Sequence, residues 1–339
     1  VTAADDVSDV ADVYLRTGNF QRAAEVLQPA LAEDPENPGL LARYARARLG
    51  LKDYWGAASA AHGALAAAPN NEYAMRLYAL ALQGQRRLPE ALWMAWKTAT
   101  EHPDSYAAHY IYANMLHEAR REREALVVIN EALRLNPSSA DALVLRGDIQ
   151  ASLWDSSVAE ADYQAALRLE PDHASAVHNL AISRLRGGKT IQALRGLHGA
   201  GRLDPDLGPL ARRNIGVAFT RVLRLATASV VLLAVALIAV MALHEESKST
   251  VLPRVLAALI TLALAAAVVW TLRGVPRPVL RAVMRERLLL AIRLVFVTLA
   301  IIAGMVTAAL GSTPLTDVSG PLLLIGVVGL TVLGWISGQ

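Results

Sequence analysis

The sequence predicts an all-α chain: stacked helix hairpins with a capping helix, followed by a four-helix transmembrane region. Three observations predict it. Proline recurs at 35, 69, 103, 137, 171 and 205, a period of 34 residues without slippage, and a period of roughly 20–50 residues marks a stacked repeat. Between the prolines, apolar residues fall at three- and four-residue steps, the spacing of one helix face. After residue 224 the period gives way to four long apolar runs.

Charge follows the same division. Residues 1–210 carry 21 Lys and Arg against 26 Asp and Glu, while residues 211–339 carry 12 against 4. The basic balance therefore belongs to the apolar third, where cytoplasmic membrane flanks require it, and nucleic acid is not an expected partner. The chain contains no cysteine. That excludes disulfides, thiolate catalysis and cysteine-bound metal. Asp5, Asp6 and Asp9 make the first residues acidic where a secretory signal would be basic and then apolar.

Within each repeat the prolines serve as a ruler. Twelve residues before them stand Ala23, Ala57, Ala91, Ala125, Ala159 and Ala193; twenty-four before stand Ala11, Ala45, Ala79, Ala113, Gly147 and Ala181. These small positions let two helices approach closely. Thr17-Gly18-Asn19, Gly50, Gln83-Gly84-Gln85 and Gly187-Gly188 are expected as the turns between them. Each proline ends the second helix by pushing its predecessor out of helical geometry. One hairpin cannot bury its apolar face alone, so neighbours must stack.

The small pair Ala11 and Ala23, the larger Tyr14, Phe20 and Leu27, and Pro35, with their counterparts, resemble the tetratricopeptide repeat family over residues 4–207. Departures fall at Arg48, Gln150 and Arg184 in the place of Tyr14, at Arg146 in a bulky apolar place, and at Gly201; looser packing is expected in repeats five and six. The resemblance implies a right-handed superhelix whose groove is lined by each repeat's first helix, and peptide or protein binding as the activity.

On that frame the groove is lined by Asp5, Ser8, Asp9 and Asp12, then Arg43 and Arg46, then Tyr73, Arg76, Leu77 and Leu80. Next come Tyr110, Ile111, Asn114 and His117, then Val144, Leu145 and Asp148, and finally His178, Asn179 and Ile182. An acidic entrance leads through a basic segment to an aromatic and aliphatic centre. Arg43, Arg46, Tyr73, Arg76, Leu77, Tyr110, Asn114 and His117 are the expected partner contacts, since tyrosine and arginine are favoured interface anchors. The alternative is an ordinary solvated face whose partner binds elsewhere. The family's clamp for a C-terminal carboxylate is not expected: Leu80 follows Arg76 where an asparagine is needed, and Asn114 lacks cationic companions. Trp93 and Trp96 are expected in inter-repeat packing, with a binding cage as the alternative.

Leu210 through Arg224 reads as a junction helix over the last hairpin, begun by Pro209. Repeats over 1–208, a junction over 209–224 and a transmembrane region over 225–339 follow. Spans are expected at about 225–243, 255–272, 294–310 and 321–337, because a spanning helix needs about 20 apolar residues. The last run is short without Pro321 and Ser337, and a re-entrant helix is its alternative. Arg212, Arg213, Arg221 and Arg224 precede the first span, and Arg273, Arg277, Arg281, Arg285, Arg287 and Arg293 lie between the second and third. The other two loops are cation-poor. This places the repeats and the C-terminus on the cytoplasmic side of an inner membrane, and the richness in alanine and arginine suggests a GC-rich bacterium.

In the basic segment 276–293, Arg277, Arg281 and Arg285 form one helical stripe opposite Leu280, Val283, Met284 and Leu288. Such a helix either rests on anionic lipid headgroups or is an ordinary positive flank. Arg293 is expected to snorkel to the same surface, leaving no ionisable group inside a span. Ala300, Gly304 and Ala308, and Ala257, Thr261 and Ala265, form small-residue faces that favour helix packing or assembly. No HExxH, P-loop, paired glycine dinucleotide motif or nucleophile elbow is present. No enzyme, cofactor or metal is expected. The function expected is a membrane-anchored scaffold that recruits a protein or peptide segment, with an assembly subunit that docks on another membrane protein through its spans as the alternative.

Overall fold

The computed structural model describes the backbone of residues 3–273 and 277–337, with the side chains of all of these except residues 3–6, 190, 191, 278, 279 and 315. Asp5, expected in the groove, therefore lies outside the described side chains, and Pro276, the first residue of the expected basic segment, outside the described residues. The described residues are helical, without a strand. They form two compact units, Val1–Pro171 and Asp172–Gln339.

The first unit holds five hairpins. They are α1 (Ala3–Arg16) with α2 (Phe20–Glu33), α3 (Pro38–Gly50) with α4 (Tyr54–Ala67), α5 (Glu72–Gly84) with α6 (Leu88–Glu101), α7 (Tyr106–Glu118) with α8 (Glu122–Leu135), and α9 (Ala140–Ser152) with α10 (Ser156–Leu169). The small positions of the sequence ruler are the contact: Ala11, Ala23, Ala45, Ala57, Ala79, Ala91, Ala113, Ala125 and Ala159 are fully buried. Each helix ends before its proline, and two residues beyond the prolines the side chains of Asn37, Asn71, Ser105 and Ser139 cap the next helix.

A second ruler appears in the backbone. Gly18, Lys52, Arg86, Arg120 and Trp154 all have positive φ, between 59° and 73°. The amide that follows each one donates five residues back, for instance Asp53 to the Arg48 carbonyl and Arg87 to that of Leu82. This is the glycine-type helix end, built here four times without glycine. The expected turn glycines Gly50 and Gly84 are instead the last residues of α3 and α5. A Cβ there would lie 2.2 Å from the Phe20 ring and 2.1 Å from the Tyr54 ring. They are glycine because an aromatic from the preceding hairpin packs on them.

Two departures are satisfied rather than loose. Arg146 donates from Nε to Asp162 (2.9 Å) and from its Nη2 to the other carboxylate oxygen, with Nη1 on Asn130. Arg48 lies over the Tyr44 ring at 4.9 Å and pairs with Asp53 at 3.0 Å. Trp93 and Trp96 depart from expectation. They are 55% and 48% exposed on α6, outside the alanine-lined seam that fills the hairpin contact.

The second unit contains α11 (Ala174–Arg186) and α12 (Thr190–Leu203), a short 3-10 turn at Pro205–Leu207, then α13 (Gly208–Glu245), α14 (Val251–Arg273), α15 (Arg277–Glu286), α16 (Leu288–Leu310) and α17 (Pro314–Ile336). The expected junction helix and first span are one continuous helix, α13. Its first half buries Ile215, Ala218, Phe219 and Leu223 against Ala181, Leu185, Leu194 and Leu197 of the sixth hairpin. There Gly201 makes room, since a Cβ on it would meet Gly208 at 3.4 Å.

The second half of α13 packs with α14, α16 and α17 around Val230, Leu233, Leu237, Ala257, Leu264, Val297 and Ala300. Neighbours run antiparallel: Arg254 at the start of α14 reaches the Ala308 carbonyl at the end of α16, and Gly326 of α17 faces Phe296 of α16. The fourth span is longer than the apolar run suggests. Thr313 begins α17 with a reciprocal capping pair to Thr316, so helix replaces most of the expected loop. Leu232, Leu259, Leu262, Leu299, Ile325 and Val328 are exposed around the bundle, whose four long helices are each apolar enough to cross a membrane.

The small-residue faces close inside this bundle. A Cβ on Gly304 would stand 2.1 Å from Thr261 Oγ1, and Ala257, Thr261 and Ala300 are buried. They join α14 to α16. Two expectations for the basic segment are also corrected. Its helix stops at Glu286, and its apolar side packs on the protein, with Val283 buried and Leu280 and Met284 against the sixth-hairpin core. Arg293 does not snorkel: it is 3% exposed, held within α16.

Candidate functional site

The first helices α1, α3, α5, α7 and α9 touch in succession along the first unit, so residues at equivalent turns form one continuous face. Its charges pair across repeats. Arg43 donates from Nε and Nη2 to both oxygens of Asp12, at 3.1 and 3.0 Å, and from Nη1 to the Gly39 carbonyl. Asp12 of the acidic entrance and Arg43 of the basic segment therefore neutralise one another. Arg76 sits 2.7 Å from Glu72 and 5.4 Å from the centre of the Tyr73 ring. Glu72 also accepts from Ser105, the cap of α7, and so ties two repeats together. Burial pushes the Glu72 carboxyl up, but the hydrogen bonds from Arg76 and Ser105 and the Arg76 charge outweigh it and hold the group below the usual range.

Arg46, half-buried between these pairs, has no hydrogen-bond or ion-pair partner among the described residues. Tyr110 stacks on Tyr106 at 5.9 Å, and Tyr106 shares a hydrogen bond with Ser139. Burial, with Asp141, Tyr106 and Asp148 nearby, pushes the Tyr110 phenol up to about 12, so it is a neutral donor at any working pH. Asn114, one turn on and half-buried, has no hydrogen-bond partner among the described residues. His117 contacts Glu122 at 2.6 Å at the end of α7.

Much of the aliphatic part of the expected lining is withdrawn into the core, while Leu80 and Ile182 stay half-buried. Leu77 is 5% exposed among Ala42, Ala45 and Ala74, and Ile111, Val144 and Leu145 are buried. Asp148 accepts from the Tyr163 hydroxyl at 2.7 Å. His178, on α11 of the second unit, is buried and lies 3.5 Å from Asn214, while burial pushes its imidazole down.

Sequence reasoning missed a hollow at the helix ends. Gln83, Arg86, Glu118 and Arg120, with His117 and Leu88, line a cavity of ≈ 550 Å³. The 34-residue relation of Arg86 to Arg120 was its signal. Arg277, Arg281 and Arg285 are exposed along α15 in the second unit. Among the described residues no group of three His, Asp or Glu is placed to hold a metal ion.

Residues 14–57 match the tetratricopeptide repeat family. No curated protein matches the chain. Among solved structures, pilF of Pseudomonas aeruginosa superposes with a TM-score of 0.50 at 19% identity, over 59% of this chain and 91% of that one. MamA gives 0.41 at 19%, over 49% and 96%. YrrB, described as a TPR protein with an unusual peptide-binding site, gives 0.41 at 20%, over 56% and 99%. The hairpin matched over residues 14–57 is repeated at the same period through the rest of the N-terminal part of the chain, which is followed by four helices long and apolar enough to cross a membrane.

Proposed function

We propose that this protein is a membrane-anchored scaffold whose repeat array captures a protein or peptide segment along α3, α5 and α7. One observation carries the reading. Between charge pairs that neutralise each other, the face keeps an unpaired cation and an unpaired amide, Arg46 and Asn114, beside the half-buried rings of Tyr73 and Tyr110. Half-buried polar groups without partners are what a bound segment satisfies, and tyrosines supply apolar contact with little entropy loss. Arg43, Arg76 and His117 hold the face in shape through their acidic neighbours, and Leu77 supports it from the core.

The four apolar helices hold the array at a membrane. The cations in the first half of α13 and those from Arg273 to Arg287, between α14 and α16, support a cytoplasmic position for the repeats. Arg277, Arg281 and Arg285 then face anionic headgroups with their helix fixed by its buried side. The test is a photo-crosslinking residue at Tyr73 in the full chain, compared with one at Trp93 on the opposite helix of the same hairpin. Adducts at Tyr73 that disappear with Arg46→Glu are expected. Adducts from Trp93 alone would move the partner to the other face and defeat the groove reading.

A further inference from the structure

Arg293 is the one described cation buried inside the apolar helices. Its Nη2 donates to the Leu330 carbonyl of α17 at 3.1 Å, while Nε and Nη1 have no partner. Arg254, at the other end of the bundle, is satisfied differently: it donates to the last carbonyls of α16, at Ala308 and Ala309. Helix-end carbonyls are unpaired by construction. Leu330 lies within α17, so Arg293 has only one oxygen in place of the several it needs. A buried cation in this state is costly unless an anion meets it.

The space for that anion is present. Arg293 opens into a cavity of ≈ 280 Å³ shared with Arg224, Thr227, Thr331 and Val327. Both threonine hydroxyls donate to their own helices, at Leu223 and Val327, so the free donors are guanidinium N–H groups. Arg224 also borders a wider hollow of ≈ 720 Å³ that carries Arg186, Arg221 and Arg287. No carboxylate lines either space among the described residues. The rest of the lining is apolar, at Ala228, Val231 and Val327, and on the same two helices, α13 and α17, Leu232, Ile325 and Val328 are exposed. Trp270 and Trp335, both exposed, end α14 and α17 on this side of the bundle, the level at which aromatic residues mark a membrane interface.

A cationic head above an apolar wall at interface depth fits an amphiphile. We propose that Arg224 and Arg293 bind the phosphate of an anionic phospholipid, with its acyl chains along α13 and α17. The proposal rests on the reading that α13, α14, α16 and α17 cross a membrane, and it is separate from the exposed arginines of α15.

The full chain, purified in a neutral detergent, is titrated with dioleoylphosphatidylglycerol, dioleoylphosphatidylcholine or inorganic phosphate. Retained lipid is read by native mass spectrometry and stability by thermal melting. Phosphatidylglycerol should be retained and raise the Tm, phosphatidylcholine should do so weakly, and inorganic phosphate not at all. Arg293→Gln and Arg224→Gln should each weaken retention about tenfold, the scale of a lost charge-assisted contact. Arg224 is exposed, so its variant keeps the test valid if Arg293→Gln does not fold. Arg277→Gln, Arg281→Gln and Arg285→Gln combined should leave retention unchanged. Equal retention of the two lipids, a shift produced by phosphate alone, or full retention by Arg224→Gln overturns the site. A wild-type chain that stays monodisperse without detergent sinks the membrane reading itself, which is a different outcome.

Discussion

The repeat array and the apolar bundle both pack helices through small residues, yet they treat arginine in opposite ways. In the array, Arg43, Arg76 and Arg146 each find a carboxylate: Asp12, Glu72 and Asp162. In the bundle, Arg254 and Arg293 find backbone carbonyls, and Arg287 a threonine hydroxyl at 3.4 Å. Water lets the array carry both signs of charge at low cost. An apolar surround makes an added carboxylate expensive, so the bundle's cations draw on groups that are already there. The array therefore closes much of its charge on its own carboxylates and leaves Arg46 over, while the bundle has no carboxylate to set against Arg293.

The packing half of the comparison breaks most readily at Gly304. A side chain there runs into Thr261 and Leu233 on two other helices. Gly304→Leu should destabilise the bundle by about 3 kcal/mol, at the upper end of ordinary overpacking, seen as a lower midpoint in denaturant titration in detergent. A bundle that tolerates it would mean that α16 is free to move away from α14.

Charge closure in the array is tested next by Asp162→Asn. The carboxylate is buried while Arg146 keeps about a quarter of its surface in water, which moderates the loss. A cost of about 2 kcal/mol is expected from a hydrogen bond to a charged group, with Arg146→Met in the same background recovering part of it. Full additivity of the two changes would show that the pair does not act as a unit.

The architecture was legible because it rests on repetition. Six prolines set the helix ends, and alanines at a fixed distance from them set the seams. Two kinds of feature were hidden. One depends on neighbours distant in sequence: nothing near Arg43 points to Asp12, and Leu77 reads as a groove residue until the preceding hairpin covers it. The other depends on how far a helix continues. The run from Leu288 looks like a flank followed by a span, so Arg293 looks like an interface residue. The helix in fact starts at Leu288 and carries Arg293 inward. The start of α17 was missed for a related reason, since the Thr313 cap is a local polar signal ahead of the apolar run.

The array stores backbone strain at four of its turns, where the bundle does so at Ser247 (φ 52°) among the described residues. Its hairpin turns recur in the left-handed region, and at Trp154 the residue is 92% exposed with φ 69°. An L-residue there costs about 1 kcal/mol relative to glycine. Trp154→Gly should therefore stabilise the array by about that amount in denaturant titration. Unchanged or lower stability would show that the indole contributes contacts that offset the strain.

The smallest expected effect sharpens the charge comparison through pH. Despite its burial, the Glu72 carboxyl is held below the usual carboxylate range by the hydrogen bonds from Arg76 and Ser105 and by the Arg76 charge. A depressed acid stabilises the fold above the unfolded value, and that contribution is lost as pH falls through the folded value. Amide hydrogen exchange should thus show protection of α5 and the start of α7 weakening once the pH drops below about 4.5. Glu72→Gln should lower protection at neutral pH and flatten this dependence. In α16, where the arginines rest on carbonyls that do not titrate, protection should stay level across the same range. A parallel loss in both regions would mean that acid acts on the whole chain rather than on the paired charges of the array, and the contrast between the two would not hold.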